Sequence, residues 1–164
     1  MPRVTFEYGP KPALNALAYL QRRLPGLTRL EAFKLLYLAD RHHLEIYGRP
    51  ITGDRYAAME KGPVPSRTYD FVKKRAGDGW RLPDLNDPDL EAFSDSEQEV
   101  LDEVVDKYGR YTARELINIT HDKVWKDTWG EAEAAGKGSE PIPWERIIQS
   151  LKNGDDIFRA LLND

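Results

Sequence analysis

The chain has 164 residues, no cysteine, 40% hydrophobic residues, 32% charged residues and a formal net charge of −4. This length suits one domain that buries a core without a metal or a disulfide, and the composition is that of a globular protein. The lack of cysteine excludes disulfide bonds, thiol nucleophiles and cysteine-based zinc sites. The sequence shows neither a signal peptide nor an apolar run of about 18 residues, so we expect a cytoplasmic protein without a membrane span.

The charges are distributed unevenly along the chain. Residues 1 to 81 contain 15 Lys and Arg residues against 8 Asp and Glu residues, whereas residues 84 to 106 contain ten carboxylates and no basic residue. Two solvated faces of one domain would explain this pattern. A surface with a basic pole and an acidic pole, which steers a charged partner, is the alternative explanation.

The predicted elements are mostly helices. Val4 to Tyr8 alternates between apolar and polar residues and predicts an edge strand. Apolar spacing and typical start residues predict helices, and these begin at Pro10, Thr28, Ser66, Ser94, Thr112, Pro143 and Asp155. Thr28, Ser94 and Thr112 are each followed three residues later by a glutamate, which is the pattern of a capping box.

The helix from Thr28 to about Tyr47 is apolar on nearly all sides, which is typical of a helix in the centre of a domain. Tyr56 to Glu60 predicts a small strand before the rigid corner Gly62 to Pro65. Trp80 to Leu82 predicts another strand, and Gly130 to Ser139 a loop. We expect a mainly α, single compact domain over residues 1–164, with about seven helices around a central apolar helix and a small β-hairpin or short antiparallel sheet.

Catalytic motifs are absent from the sequence, including the nucleophile elbow, the phosphate-binding loop, the dinucleotide-binding turn and the zinc-binding H-E-x-x-H pair. Asp40 and His43 are three residues apart on one predicted helix, a spacing that could bring two metal ligands together. Two ligands are too few for a site, and His42 points in another direction from the same helix. We therefore predict no catalytic residue, no metal, no cofactor and no enzymatic activity.

The segment from Glu97 to Asp122 resembles the first helices of a helix-turn-helix motif. A DNA-binding protein of this class needs a following basic helix and a basic surface that meets phosphates. This neighbourhood is instead the most acidic of the chain. An acidic DNA-binding or regulatory domain is kept as the alternative function, and we do not expect nucleic acid as a partner.

Several blocks of the sequence resemble the Panacea domain, the family of the SocA-like antitoxins and the phage-associated GepA-like proteins. The first half of the resemblance consists of Lys34 to Asp40, Gly48 to Ile51, Asp54, Ala58, Gly62 to Pro65 and Tyr69. The second half follows in the same order with Leu116, Thr120, His121, Trp125, Pro141 to Pro143 and Ile147. The resemblance covers roughly residues 13 to 160. Most of these residues suit turns, a corner and a core helix, so we interpret them as parts of the fold.

The resemblance implies an antitoxin of a type II-like toxin–antitoxin pair that acts in phage defence. Such a protein neutralises a toxin encoded by a neighbouring gene through direct protein contact, and a protease that receives the toxin is a second candidate partner. We predict that the turn-rich segment from Asp54 to Lys61 makes the contact, with Asp54, Tyr56, Met59 and Lys61 as partner-binding residues. The family leads us to expect aromatic side chains near the corner, where this chain has Met59 and Lys61.

Overall fold

A computed structural model describes residues 3–163 of the protein, which form eight α-helices and one small sheet. The helices are α1 Pro10–Arg23, α2 Arg29–Tyr47, α3 Ser66–Ala76, α4 Asp95–Tyr108, α5 Ala113–Thr120, α6 Lys123–Ala134, α7 Trp144–Ser150 and α8 Gly154–Leu162. The strands are β1 Tyr56–Met59, β2 Gly62–Pro65 and β3 Glu140–Pro141, and Leu90–Ala92 forms a short 3-10 helix. Met1, Pro2 and Asp164 belong to the predicted domain 1–164 but lie outside the described residues. The mainly α fold class is confirmed.

The three predicted capping boxes begin α2, α4 and α5. In each box the side chain of Thr28, Ser94 or Thr112 accepts a hydrogen bond from the backbone N–H three residues later. The glutamate at that third position accepts one in return from the backbone N–H of the capping residue. Each box thus satisfies two donors that a helix start otherwise leaves unpaired, which explains why these helices begin where they do.

Helix α2 lies between the two hydrophobic clusters of the core, which confirms the predicted central helix. Leu35 and Leu36 belong to the first cluster, which α2 forms together with residues of α1, α4 and α5, among them Leu17, Leu20, Leu101, Val104 and Leu116. Tyr37 and Leu44 belong to the second cluster, together with residues of the sheet, α6, α7 and α8, among them Tyr56, Trp125, Trp144, Ile147 and Ile157. Helix α2 therefore contributes buried side chains to both clusters.

The sheet has the order β2-β1-β3, with both pairs antiparallel. Strands β1 and β2 form a hairpin in which Met59 is opposite Gly62, so Glu60 and Lys61 form the turn. Gly62 has a φ of 118°, and a Cβ added there would lie 3.0 Å from Cε of Lys34. A side chain at this position would be strained in this backbone conformation and would crowd the Lys34 side chain.

Two predicted strands are absent or reduced. Val4 to Tyr8 is not a strand. The contact that holds its first residue is a hydrogen bond of 2.7 Å from the backbone N–H of Val4 to a side-chain oxygen, Oε1 of Glu145, which is not a strand pairing. Around Trp80 to Leu82, only Arg81 pairs with another segment, through a single antiparallel bridge to Thr28.

The helix count differs from the prediction because α6 was missed. The predicted loop from Gly130 to Ser139 begins inside this helix, and Asp122 caps its start by accepting a hydrogen bond of 2.9 Å from the backbone N–H of Trp125. The last helix was predicted to begin at Asp155, whereas α8 begins one residue earlier, at Gly154, after Asn153. No helix among residues 3–163 is long and apolar enough to cross a membrane.

Candidate functional site

Asp40 holds the loop between α2 and β1 in place. Its buried carboxylate accepts hydrogen bonds from the backbone N–H groups of Ile51 (2.7 Å) and Thr52 (2.8 Å). It also accepts hydrogen bonds from the hydroxyl groups of Thr52 (2.5 Å) and Tyr56 (2.6 Å). Burial raises the pKa of Asp40 to about 6 although these hydrogen bonds act against the rise, so the carboxylate is ionised at pH 7. Asp40 therefore positions β1 through four donors.

Asp54 connects the same loop to the start of α3. Its carboxylate accepts hydrogen bonds from the backbone N–H groups of Arg67 (3.1 Å) and Thr68 (2.9 Å) and from the Thr68 hydroxyl (2.7 Å). Pro65, which precedes α3, has no side chain that could cap the helix. Asp54 supplies the missing acceptor and places a negative charge at the helix N-terminus, where the helix dipole favours it.

Lys34 supports the hairpin from below. Its side chain is only 1% exposed, and its Nζ donates a hydrogen bond of 2.9 Å to the carbonyl oxygen of Pro63 in β2. Among residues 3–163 no carboxylate forms an ion pair with it. Burial lowers the pKa of Lys34 to about 7, so this lysine loses its proton far more easily than an exposed lysine does.

Trp125 and His121 support the other side of the hairpin. Trp125 Nε1 donates a hydrogen bond of 2.7 Å to the carbonyl oxygen of Met59, and the His121 ring stacks on the Trp125 ring at 3.6 Å between centroids. Burial lowers the pKa of His121, the charge of Lys34 lowers it further, and the backbone of the hairpin turn acts in the opposite direction. His121 is therefore protonated less readily than an exposed histidine.

The four predicted partner-binding residues lie in two different environments. Asp54 and Tyr56 are buried, and their polar atoms form the hydrogen bonds described above, so neither is exposed for contact in this structure. Met59 is half-buried, and Lys61 is exposed together with its neighbour Glu60, which is not one of the predicted partner-binding residues. We define Met59, Glu60 and Lys61 as the hairpin tip. The pairing of β1 with β2 places Glu60 in the two-residue turn, and this pairing is known only from the structure.

Asp40 and His43, the pair with metal-ligand spacing, have separate structural roles. The ring nitrogens of His43 lie 2.5 Å from the carbonyl oxygen of Arg49 and 2.9 Å from Oγ of Ser96, so His43 links α2 to the following loop and to α4. Over the described part of the chain, no group of three or more His, Cys, Asp or Glu side chains is arranged to hold a metal ion.

The fold and this site define a small helical domain whose buried polar side chains hold a surface hairpin. The family model described as antitoxin SocA-like, Panacea domain, matches residues 33–126, which is more than half of the chain. The protein therefore belongs to the family of SocA-like antitoxins with a Panacea domain, and the resemblance found in the sequence is confirmed. The matched segment contains Lys34, Asp40, Asp54 and the hairpin tip. No curated protein and no solved structure matches this chain.

Proposed function

We propose that this protein is the antitoxin of a toxin–antitoxin pair and neutralises a toxin encoded by a neighbouring gene through direct contact with the hairpin tip. The observation that carries the proposal is membership in the SocA-like family. The proposal places the pair in the cytoplasm and in phage defence, as the family resemblance implies. The structure of the matched segment supports a binding role, because its buried polar side chains hold the hairpin in position.

The hairpin is well suited to protein contact because its backbone is fixed at both strands. Lys34 holds the carbonyl of Pro63, Trp125 holds the carbonyl of Met59, and Tyr56 is bound to Asp40. A segment that is already ordered loses little conformational entropy when a partner binds, which leaves more of the contact energy for affinity. The charged side chains at the turn add electrostatic complementarity, which mainly accelerates association.

The burial of the ionisable groups supports a non-enzymatic role. Lys34 and Asp40 have shifted pKa values, a property often found in active sites. A catalytic acid or base must come within hydrogen-bond reach of its substrate. Both side chains are at most 1% exposed, and each contacts the protein's own backbone. Their pKa shifts are therefore explained by structural burial.

The alternative function, DNA binding by a helix-turn-helix-like segment, is disfavoured by α6. This helix follows α5 at the position where a recognition helix would lie. It exposes Asp127, Glu131 and Glu133, and its Lys123 is paired with Asp127 at 2.7 Å. Carboxylates on a recognition helix would repel the phosphates that dominate DNA affinity.

Replacing Lys61 with glutamate is expected to weaken toxin capture by about 1 to 2 kcal/mol if this residue is a binding hot spot, which is about tenfold in Kd. The melting temperature should not change, because the side chain is exposed and forms no ion pair within the described residues. The measurement combines growth rescue during co-expression of the neighbouring gene with calorimetric binding of the purified product. Lys152→Glu, the same charge reversal at another exposed lysine, serves as the matched control.

Two results would contradict parts of this proposal. A neighbouring product that is harmless when expressed alone removes the antitoxin function. A Lys61→Glu variant that rescues growth and binds like the wild type removes the hairpin tip from the contact. Toxin abundance, followed in the same cultures, separates the two modes of action: constant abundance indicates direct inhibition, and falling abundance indicates delivery to a protease.

A further inference from the structure

Trp80 is the most exposed large hydrophobic side chain among the described residues, with 64% of its surface accessible. It lies in the loop that follows α3 and leads to the β-bridge at Arg81. An exposed indole leaves a large apolar area in water, and tryptophan is among the residues that most often dominate protein interfaces. The position of this residue therefore requires a structural or a functional explanation.

The loop that carries Trp80 is held by Arg29, the first residue of α2. Arg29 is only 8% exposed, and its side chain donates hydrogen bonds to the carbonyl oxygens of Gly77 (2.9 Å) and Arg81 (3.0 Å). Its backbone N–H donates a third hydrogen bond, of 3.1 Å, to the carbonyl oxygen of Trp80 itself. A buried guanidinium thus fixes the loop backbone on both sides of the indole, which is presented from an ordered backbone.

Basic residues precede and follow Trp80 in the sequence. The guanidinium of Arg81 lies over the Trp80 ring, with Cζ 5.0 Å from the ring centroid, and Lys73, Lys74 and Arg75 form the last turn of α3 before the loop. Among residues 3–163 only Lys73 of these four cations pairs with a carboxylate, Asp78 at 3.8 Å. Arg75 lies over the Phe71 ring and lines a separate groove together with Asp87 and Asp89. We therefore define Lys73, Lys74, Trp80 and Arg81 as the Trp80 patch.

We propose that the Trp80 patch is a second contact surface, which binds a carboxylate-rich region on the surface of the partner protein. The indole enters an apolar depression of the partner, and Arg81 and Lys74 meet Asp or Glu side chains at its rim. An acidic partner surface is favoured by charge complementarity, because two cations of the patch, Lys74 and Arg81, form no ion pair among the described residues. The identification of that partner with the toxin rests on the proposed function.

A compact acidic protein surface fits the patch better than a nucleic acid does. Trp80 and Arg81 share a shallow groove with Asp84, where the acidic stretch of residues 84 to 106 begins. An extended phosphate backbone leaving the patch in this direction would meet these carboxylates. A protein surface can place its carboxylates opposite the cations of the patch and neutral or basic groups opposite Asp84.

The test compares Trp80→Ala and Arg81→Glu with Leu90→Ala, which removes another exposed apolar side chain (51% accessible) outside the patch. Binding of the purified neighbouring gene product is measured by calorimetry at about 0.05 and about 0.3 M salt. Both patch variants are expected to bind at least about tenfold more weakly at low salt. The binding of Arg81→Glu should also depend less on salt than that of the wild type, and the control should bind like the wild type. All melting temperatures should agree with that of the wild type, because the altered side chains point into solvent.

The outcomes separate this inference from the proposed function. If Lys61→Glu weakens capture while both patch variants bind normally, the patch is not a contact and the antitoxin function stands. If the wild type does not bind the product of the neighbouring gene, the proposed function fails. The ligand preference of the patch is then tested by measuring the binding of poly-L-glutamate and of a single-stranded oligonucleotide of about 20 nucleotides. Poly-L-glutamate binding that Arg81→Glu weakens about tenfold supports an acidic partner. Absent binding, or tighter binding of the oligonucleotide at equal salt, overturns the inference.

Discussion

Replacing Asp40 with alanine is expected to lower the free energy of unfolding by about 3 to 5 kcal/mol, an effect that is exceptional for one substitution. The variant leaves four donors without their acceptor, two backbone N–H groups and two hydroxyl groups, in a site without solvent access. Each buried donor without a partner carries its own desolvation cost. Urea denaturation at pH 7, followed by far-ultraviolet circular dichroism, measures the loss.

Asp70→Ala is the control for this experiment, because Asp70 is exposed on α3 and should change the stability by less than about 0.5 kcal/mol. Asp40→Asn should give an intermediate loss. Its oxygen can keep the two backbone donors, and the hydroxyl groups of Thr52 and Tyr56 can rotate to accept hydrogen bonds from its amide. An Asp40→Ala variant that unfolds at the wild-type urea concentration would show that the loop is held by other contacts.

Replacing Lys34 with methionine is expected to remove a pH dependence of stability in the alkaline range. Burial lowers the pKa of Lys34 from 10.5 to about 7 in the folded protein. Between these values the unfolded chain binds a proton at Lys34 that the folded chain does not bind. The stability of the wild type therefore rises with pH in this window, by up to about 1.4 kcal/mol per pH unit.

Methionine fills a similar volume but cannot be protonated, and its missing hydrogen bond to Pro63 lowers the stability by an amount that is independent of pH. The free energy of unfolding of Lys34→Met, relative to the wild type, should therefore fall by about 2 to 3 kcal/mol between about pH 7 and pH 9.5. Lys152→Met, at an exposed position, should show a constant difference. Parallel pH curves for Lys34→Met and the wild type would mean that Lys34 keeps an ordinary pKa in the fold.

The helix starts could be predicted from the sequence because a capping box is a local device. Thr28 and Glu31 are three residues apart, and a helix brings them together whatever the rest of the chain does. Helix α6 carried a weaker signal of the same kind. Asp122 is a good capping residue, and Val124, Trp125 and Thr128 follow at helical spacing, but the glycine at position 130 suggested a loop. In the structure this glycine is exposed and α6 continues through it.

The candidate site depended on contacts that the sequence does not reveal. Asp40 and Tyr56 are 16 positions apart, and their hydrogen bond forms only because the chain reverses after α2. A lysine in the middle of an apolar helix is ordinarily expected to reach solvent, so the burial of Lys34 was not predictable from its residue type. The predicted contact segment contains the exposed hairpin tip, whereas the burial of Asp54 and Tyr56 in the same segment could not be read from the sequence.

The hairpin is anchored by its main chain, and this has a consequence for how the protein can evolve. Lys34 and Trp125 donate to the carbonyl oxygens of Pro63 and Met59, and every amino acid supplies a carbonyl oxygen. Exchanges of the exposed side chains at Glu60 and Lys61 therefore leave both anchors intact. A lineage can change the chemistry of this turn in single steps, each nearly neutral for folding, and follow a changing partner without rebuilding its scaffold.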